Sequence, residues 1–118
     1  IRAAGSLTAA VERARALHPR LPLIVEVETL AQLREALDAG CTRILIDDFD
    51  PDTRREAVRI ARSAPHDGRI PLEVSGGVDL ASVRGIAEDG VDCISIGGLT
   101  KHLHAIDFSL KLGPPPAA

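Results

Sequence analysis

Apolar positions along the chain fall into two alternating patterns. Short runs rich in Val, Ile and Leu, such as LPLIVEV over 21–27, are followed by longer runs in which apolar residues recur every three or four positions, such as TLAQLREALDAG over 29–40. The first pattern predicts strands buried on both faces, and the second predicts amphipathic helices. A helix capped by Ser6 and running to about Leu17 comes before the first strand. The helix over 29–40 has Thr29 and Gln32 at capping-box spacing, Leu30, Leu33 and Leu37 on one face, and Gly40 as its stop. TRILID over 42–47 is the second strand, and the helix after it takes Asp50 as N-cap and Pro51 as its first residue. RIPLEVS over 69–75 is the third strand. It is followed by a helix capped by Asp79 and stopped by Gly90, and DCISIGG over 92–98 is the fourth strand with a glycine loop.

Repetition of strand, loop and helix predicts a parallel sheet with helical crossovers. Glu26, Asp47, Glu73 and Ser95 sit at corresponding places in the four strands, separated by 21, 26 and 22 residues. That is the rhythm of a (β/α) barrel. A Rossmann sheet would carry G-x-G-x-x-G after an early strand, and no such segment occurs. The expected fold class is therefore α/β, a partial (β/α) barrel with parallel strands, about four βα units of an irregular TIM-like barrel. A closed barrel has about eight units, so half of one has open edges and an exposed core face. The chain is expected to be part of a longer protein, with the barrel portion over 1–112 and a disordered tail over 113–118, where the sequence ends in GPPPAA.

Composition narrows the function classes. The chain has 118 residues, one domain at most, and 45% of them are hydrophobic, enough for a packed core. Lys and Arg number 14 against 17 Asp and Glu, for a formal charge of −3. No basic stripe marks a nucleic-acid surface, and no apolar run approaches the ~20 residues of a membrane span. The N-terminal run turns amphipathic at once and lacks a signal-peptide pattern. Cys41 and Cys93 have no metal-ligand spacing and read as free thiols, which suits a cytoplasmic protein. Phe49 and Phe108 are the only aromatics, so the core is aliphatic.

In a (β/α) barrel, chemistry gathers at the C-terminal ends of the strands. Here the first two ends are acidic, with Glu26 and Glu28, then Asp47 and Asp48. The third carries Glu73 and ends in Ser75, Gly76 and Gly77; the fourth runs through Ser95 to Gly97 and Gly98. Glycines let backbone N–H groups approach a phosphate with no Cβ in the way, and a following helix start adds a favourable dipole. Carboxylates at neighbouring strand ends can accept sugar hydroxyls or hold Mg²⁺. Together they describe a site for a phosphorylated sugar. Taken singly, each element has a plainer reading: either glycine pair as an ordinary turn, Glu28 as a helix-start residue, Asp47 and Asp48 as helix caps. Glu26 resists that reading, because a strand buried on both faces rarely admits a carboxylate without a partner. His18 and His66 read as poor candidates, at a helix end and in a polar loop; His102 and His104 follow the last glycine loop and read as surface residues, with the border of a site as the alternative.

The segments PLIVEVETLAQLREALDAGCTRILIDDF, IPLEVSGGV and GVDCISIGGLTKHLHAIDFSLKL resemble the C-terminal part of the quinolinate phosphoribosyltransferase family, over about Ile1 to Leu112. The resemblance implies an irregular, incomplete α/β barrel beside an N-terminal domain, working as a homodimer or larger assembly. It implies transfer of phosphoribosyl from 5-phosphoribosyl 1-diphosphate to quinolinate with loss of carbon dioxide, using Mg²⁺ and giving nicotinate mononucleotide for NAD biosynthesis. Glu26 and Asp47 match the family's acidic strand-end residues near ribose and metal, with Asp47 as the metal ligand. Glu73 matches the glutamate of its L-E-V-S-G-G segment, which the resemblance places among the substrate-binding residues. Ser75, Gly76 and Gly77 match the loop at the 5′-phosphate, and Gly97 and Gly98 match the second phosphate loop. Two positions depart from the pattern. Asp48 stands where the family has Asn, and the added charge bears on diphosphate binding and on the pKa of its neighbours. Gly98 replaces an alanine. The family's Lys-x-Asn-His segment, and the arginines, histidine and lysine that hold quinolinate, lie upstream of the position matching Ile1. By itself the chain is expected to be inactive, holding the ribose-phosphate half of a site. Two further readings remain: another phosphosugar-binding (β/α) barrel enzyme, or a half-barrel that only assembles with a partner half.

Overall fold

The computed structural model describes residues 4–65, 69–101 and 104–113. In chain order the elements are α1 (Leu7–Leu17), β1 (Ile24–Val27), α2 (Leu30–Asp38), β2 (Arg43–Asp47), α3 (Pro51–Ser63), β3 (Leu72–Ser75), α4 (Val83–Glu88), β4 (Cys93–Ile94) and α5 (Gly98–Lys101). The four strands form one sheet in the order β1-β2-β3-β4, and every neighbouring pair is parallel. Sequential order without a reversal is the barrel-type winding, and the sheet stays open between β4 and β1.

Alternation along the strands divides the sheet into two unlike faces. Val25, Val27, Ile44, Ile46, Leu72 and Val74 point to the helix side and are all buried. They meet Leu7 and Val11 of α1, Leu33, Ala36 and Leu37 of α2, Ala57 and Ala61 of α3, and Ile86 of α4 in one core. Burying each large aliphatic side chain stabilises the fold by about 1.5–3 kcal/mol. On the other face lie Ile24, Glu26, Arg43, Leu45, Asp47, Glu73, Ser75 and Cys93. This is the side that a closed barrel would turn inward, and it is uncovered enough to leave Ile24 54% exposed.

Local signals set the helix ends. The Ser6 and Thr29 hydroxyls accept from the N–H groups of Ala9 and Gln32, and an Asp50 carboxylate oxygen accepts from those of Asp52 and Thr53. Gln32 reaches back to accept from the Glu28 N–H at 2.7 Å, one residue ahead of the ordinary capping-box partner. Gly40 and Gly90 end their helices with positive φ. The Thr8 N–H and hydroxyl both donate to Glu35, each at 3.0 Å, tying α1 to α2.

Four elements differ from the sequence expectation. The first and third strands start later than 21 and 69, because Pro22 and Pro71 have no N–H to donate to a ladder. Leu21, ahead of β1, is 65% exposed. The fourth strand keeps only Cys93–Ile94, and Gly98 begins α5 instead of lying in a loop. The fourth helix begins at Val83, not at Asp79. The Asp79 carboxylate accepts from the N–H groups of Ala81 and Ser82 and from the Ser82 hydroxyl, which holds the intervening residues in a turn.

Two ion-pair clusters brace this end of the fold, one holding the start of β4 and the other tying the end of α4 to α3. Asp92 accepts from the Leu72 N–H at 2.8 Å and pairs with Arg62 at 2.7 Å and Arg69 at 2.5 Å. Asp89 pairs with Arg54 at 2.8 Å and Arg55 at 2.9 Å. Residues 104–113 are exposed and carry no regular structure, with Ile106, Phe108, Leu110 and Leu112 alternating along them. Of the tail expected over 113–118, all but Gly113 lies outside the described residues, as do His66 and His102. His18 caps the end of α1, and it and His104 are exposed.

Candidate functional site

Where β3 and β4 end, two glycine turns face each other across a cleft of about 880 Å³. One wall runs from Ser75 through Gly76 and Gly77 to Ala81, and the other from Ser95 through Gly97 and Gly98 to Lys101. Five of the residues singled out from the sequence therefore meet in one place: Ser75, Gly76, Gly77, Gly97 and Gly98.

Glycine is required at Gly76 for two reasons. Its φ is +89°, and a Cβ built there would lie 2.8 Å from Asp47 Oδ1. The close approach follows from register, since Asp47 sits directly opposite Ser75 on the neighbouring strand. Gly77 also has positive φ, +56°, but open space where its Cβ would be. Asp47 is half-buried at the rim of the cleft without lining it.

The helix start contributes less to the site than the sequence reading supposed. Asp79 already accepts from the first free N–H groups ahead of α4. The Ser82 hydroxyl, with the Ser82 and Ala81 N–H groups, holds the Asp79 carboxyl below its ordinary value. An anion in the cleft would meet the glycine backbone and Lys101 before it met that helix. Lys101 was not anticipated. It lies one turn beyond Gly97, with Nζ 3.8 Å from where a Gly97 Cβ would stand. The signal was the lysine four residues after the glycine, which only matters because Gly98–Lys101 is helical.

The acidic residues separate. Glu26 shares a row of the uncovered face with Leu45, Glu73 and Cys93, and it is exposed. Asp47 is one step nearer the strand ends on that same face. Glu73 does not line the cleft. One carboxylate oxygen pairs with Arg43 at 2.7 Å and the other accepts from the Ser95 hydroxyl. Neither Arg43 nor Ser95's bond to Glu73 was legible without the strand register. Glu28 is exposed at the start of α2, where its N–H donates to Gln32. Asp48 has φ +54°, the one non-glycine residue with positive φ among those described.

A smaller cavity of about 430 Å³ lies behind the Gly76-Gly77 turn, beside Asp48, Phe49 and Arg54. Arg54 donates there to the Phe49 carbonyl at 2.7 Å and is paired with Asp89, so its charge is already matched. Cys41 is buried, which pushes its thiol up despite Arg15 nearby, and Cys93 is half-buried; both are free.

Among the described residues no group of three or more His, Cys, Asp and Glu side chains is arranged to hold a metal, and no helix is long and apolar enough to cross a membrane. Glu26 and Asp47 do offer two carboxylates on one face of adjacent strands. That donor set fits Mg²⁺, which takes one or two protein carboxylates and completes its shell with substrate oxygens and water.

The sequence matches a family model described as quinolinate phosphoribosyl transferase, C-terminal domain, over residues 1–111. A probable nicotinate-nucleotide pyrophosphorylase [carboxylating] of Bacillus subtilis is 37% identical over 113 residues, which are 95% of this chain and 37% of that relative. Among solved structures, the nicotinate-nucleotide pyrophosphorylase of Francisella tularensis superposes with a TM-score of 0.78 at 40% identity, covering 86% of this chain and 35% of that one. NadC of Streptococcus pyogenes superposes with a TM-score of 0.81 at 33% identity, covering 94% and 38%. The chain thus spans little more than a third of the length of the relatives it matches.

Proposed function

The chain belongs to the family of quinolinate phosphoribosyl transferase C-terminal domains, and from that premise we propose that it holds the ribose-phosphate half of a carboxylating nicotinate-nucleotide pyrophosphorylase. The reaction is transfer of phosphoribosyl from 5-phosphoribosyl 1-diphosphate to quinolinate, with release of diphosphate and carbon dioxide. The observation that carries this reading is the meeting of Gly76-Gly77 with Gly97-Gly98 on one cleft, with Lys101 at its wall.

The 5′-phosphate is bound by N–H groups of the two glycine turns and by the Lys101 ammonium, a charge-assisted contact. Ser75 flanks the same loop. The ribose extends from the cleft toward Asp47 and Glu26 on the uncovered face. Breaking the bond from the anomeric carbon to the diphosphate oxygen builds positive charge on the ribose ring. Fixed carboxylates at Glu26 and Asp47 favour that charge. Magnesium held by Asp47 would offset the charge of the departing diphosphate. Asp48 adds a negative charge beside Asp47, but its left-handed backbone turns it toward the cavity behind the glycine loop.

The part of the site that holds quinolinate belongs, on this reading, to protein beyond the chain. The uncovered sheet face and the open edges at β1 and β4 support an assembly with further protein, as a dimer or larger. The free thiols support a cytoplasmic setting. The test is carbon dioxide release from carboxyl-labelled quinolinate by the protein at its native length. Release that requires both 5-phosphoribosyl 1-diphosphate and Mg²⁺ supports the proposal. A folded protein that releases none from quinolinate, yet turns over another phosphosugar, rejects it.

A further inference from the structure

Beneath the cleft, side chains from β2, from β3 and from just past β4 form a line on the uncovered face. Arg43 at the start of β2 pairs with Glu73 in the middle of β3 at 2.7 Å, and Glu73 accepts from the hydroxyl of Ser95, just past β4. Glu73 is only 9% exposed, while Ser95 lies in the cleft wall. A serine hydroxyl has one proton and two lone pairs. With its proton donated to Glu73, Ser95 Oγ can offer the cleft acceptor lone pairs only. A phosphate oxygen, itself an acceptor, gains nothing from it; a hydroxyl does.

We infer that Ser95 is a specificity residue that accepts a hydrogen bond from a sugar hydroxyl, and that Glu73 and Arg43 are positioning residues that hold it in that state. The cleft then has two unlike sides. The glycine turns and Lys101 take the anion, and Ser95 distinguishes a sugar phosphate from free phosphate. The inference rests on the phosphoribosyl reading above and adds a division of labour within that site. It also reassigns Glu73, the glutamate of the L-E-V-S-G-G segment, from touching substrate to acting through Ser95. The Arg43 partner suits that assignment, because a guanidinium directed at Glu73 from the far side keeps its second oxygen from the cleft.

The test compares affinities for inorganic phosphate and ribose 5-phosphate, by calorimetry, on the protein at its native length. Ser95→Ala is expected to weaken ribose 5-phosphate by about 3- to 10-fold, the range of one net hydrogen bond, and to change inorganic phosphate by less than about twofold. The paired variant Arg43→Met with Glu73→Leu removes both charges together, so that no lone buried charge compromises folding. It is expected to weaken ribose 5-phosphate like Ser95→Ala, and to have no further effect when added to Ser95→Ala. Equal weakening of both ligands by Ser95→Ala overturns the inference, since Ser95 would then be donating to phosphate. So does a paired variant that weakens ribose 5-phosphate equally with and without the Ser95 hydroxyl, since Glu73 would then touch the sugar itself. If the unmodified protein binds neither ligand, the phosphoribosyl reading fails first, and the inference with it.

Discussion

Adding one methyl group at Gly76 probes the contact that joins the acidic and glycine-rich halves of the site. The backbone there has φ +89°, and the new Cβ would stand 2.8 Å from Asp47 Oδ1, closer than a real Cβ tolerates. An L-residue held at positive φ costs about 1–2 kcal/mol. Relieving the contact by rotating Asp47 off its preferred rotamer costs about 0.5–1.5 kcal/mol more. Gly76→Ala should therefore destabilise by roughly 1.5–3.5 kcal/mol. Gly77→Ala is the internal control, because it has positive φ and open space, and should lose only the first ~1–2 kcal/mol. Urea denaturation of both variants reads the difference. Repeating the pair in an Asp47→Ala background should cut the Gly76 cost to that of Gly77, because the clashing oxygen is gone. If Gly76→Ala costs no more than Gly77→Ala, or if removing Asp47 leaves the gap unchanged, the loop is not pressed against Asp47 and the shared site loses its geometric basis.

Other expectations follow from single residues. Burial alone would push the Asp92 carboxyl up, but the Leu72 N–H with Arg62 and Arg69 overcomes it and leaves the group below its ordinary 3.8. Its stabilisation is thus full above 3.8 and lost as pH falls through the lower folded value. Asp92→Asn should cost about 1.5–3 kcal/mol at pH 7 and progressively less as pH falls below 3.8, read by urea denaturation across that range; a cost that does not change with pH would contradict the assignment. Asp48 tolerates its φ of +54° because a short polar side chain can. Asp48→Asn should leave the thermal midpoint nearly unchanged, whereas Asp48→Val should lower stability by about 1–2 kcal/mol. Lys101→Ala should weaken phosphate by about tenfold or more in calorimetry at low salt, and by less as salt is raised. Ile106, Phe108, Leu110 and Leu112 are 75–92% exposed and alternate along an extended segment. Replacing Phe108 and Leu110 by Ser should raise the soluble fraction on expression without moving the midpoint of unfolding.

The helices were legible where one residue decides locally. Ser6, Thr29 and Asp50 cap because their own oxygens reach N–H groups two or three residues on, and Gly40 and Gly90 stop because the left-handed turn needs them. Asp79 misled because the same short-range bonding can close a turn instead of starting a helix, and nothing local chooses between them. The strand starts were read too early because Pro22 and Pro71 withhold a ladder donor inside runs that are otherwise strand-like. The two glycine turns were found from sequence because glycine at a strand end has a direct backbone meaning. The hold of Arg43 and Ser95 on Glu73 was not, since it needs the register of strands some 20 to 30 residues apart. Lys101 was missed for a related reason: four residues after a glycine is a contact in a helix and a distance in a loop.

On the proposed function, Gly76, Gly77, Gly97 and Gly98 form one phosphate cradle. The most direct measurement is a titration of the isotopically labelled protein with ribose 5-phosphate, following backbone amide resonances. Gly76, Gly77, Gly97 and Gly98 should shift together and saturate along one binding curve, with Lys101 among the responding residues. Shifts confined to the arginine-rich surface of α3, or glycine turns that respond separately or not at all, would contradict it.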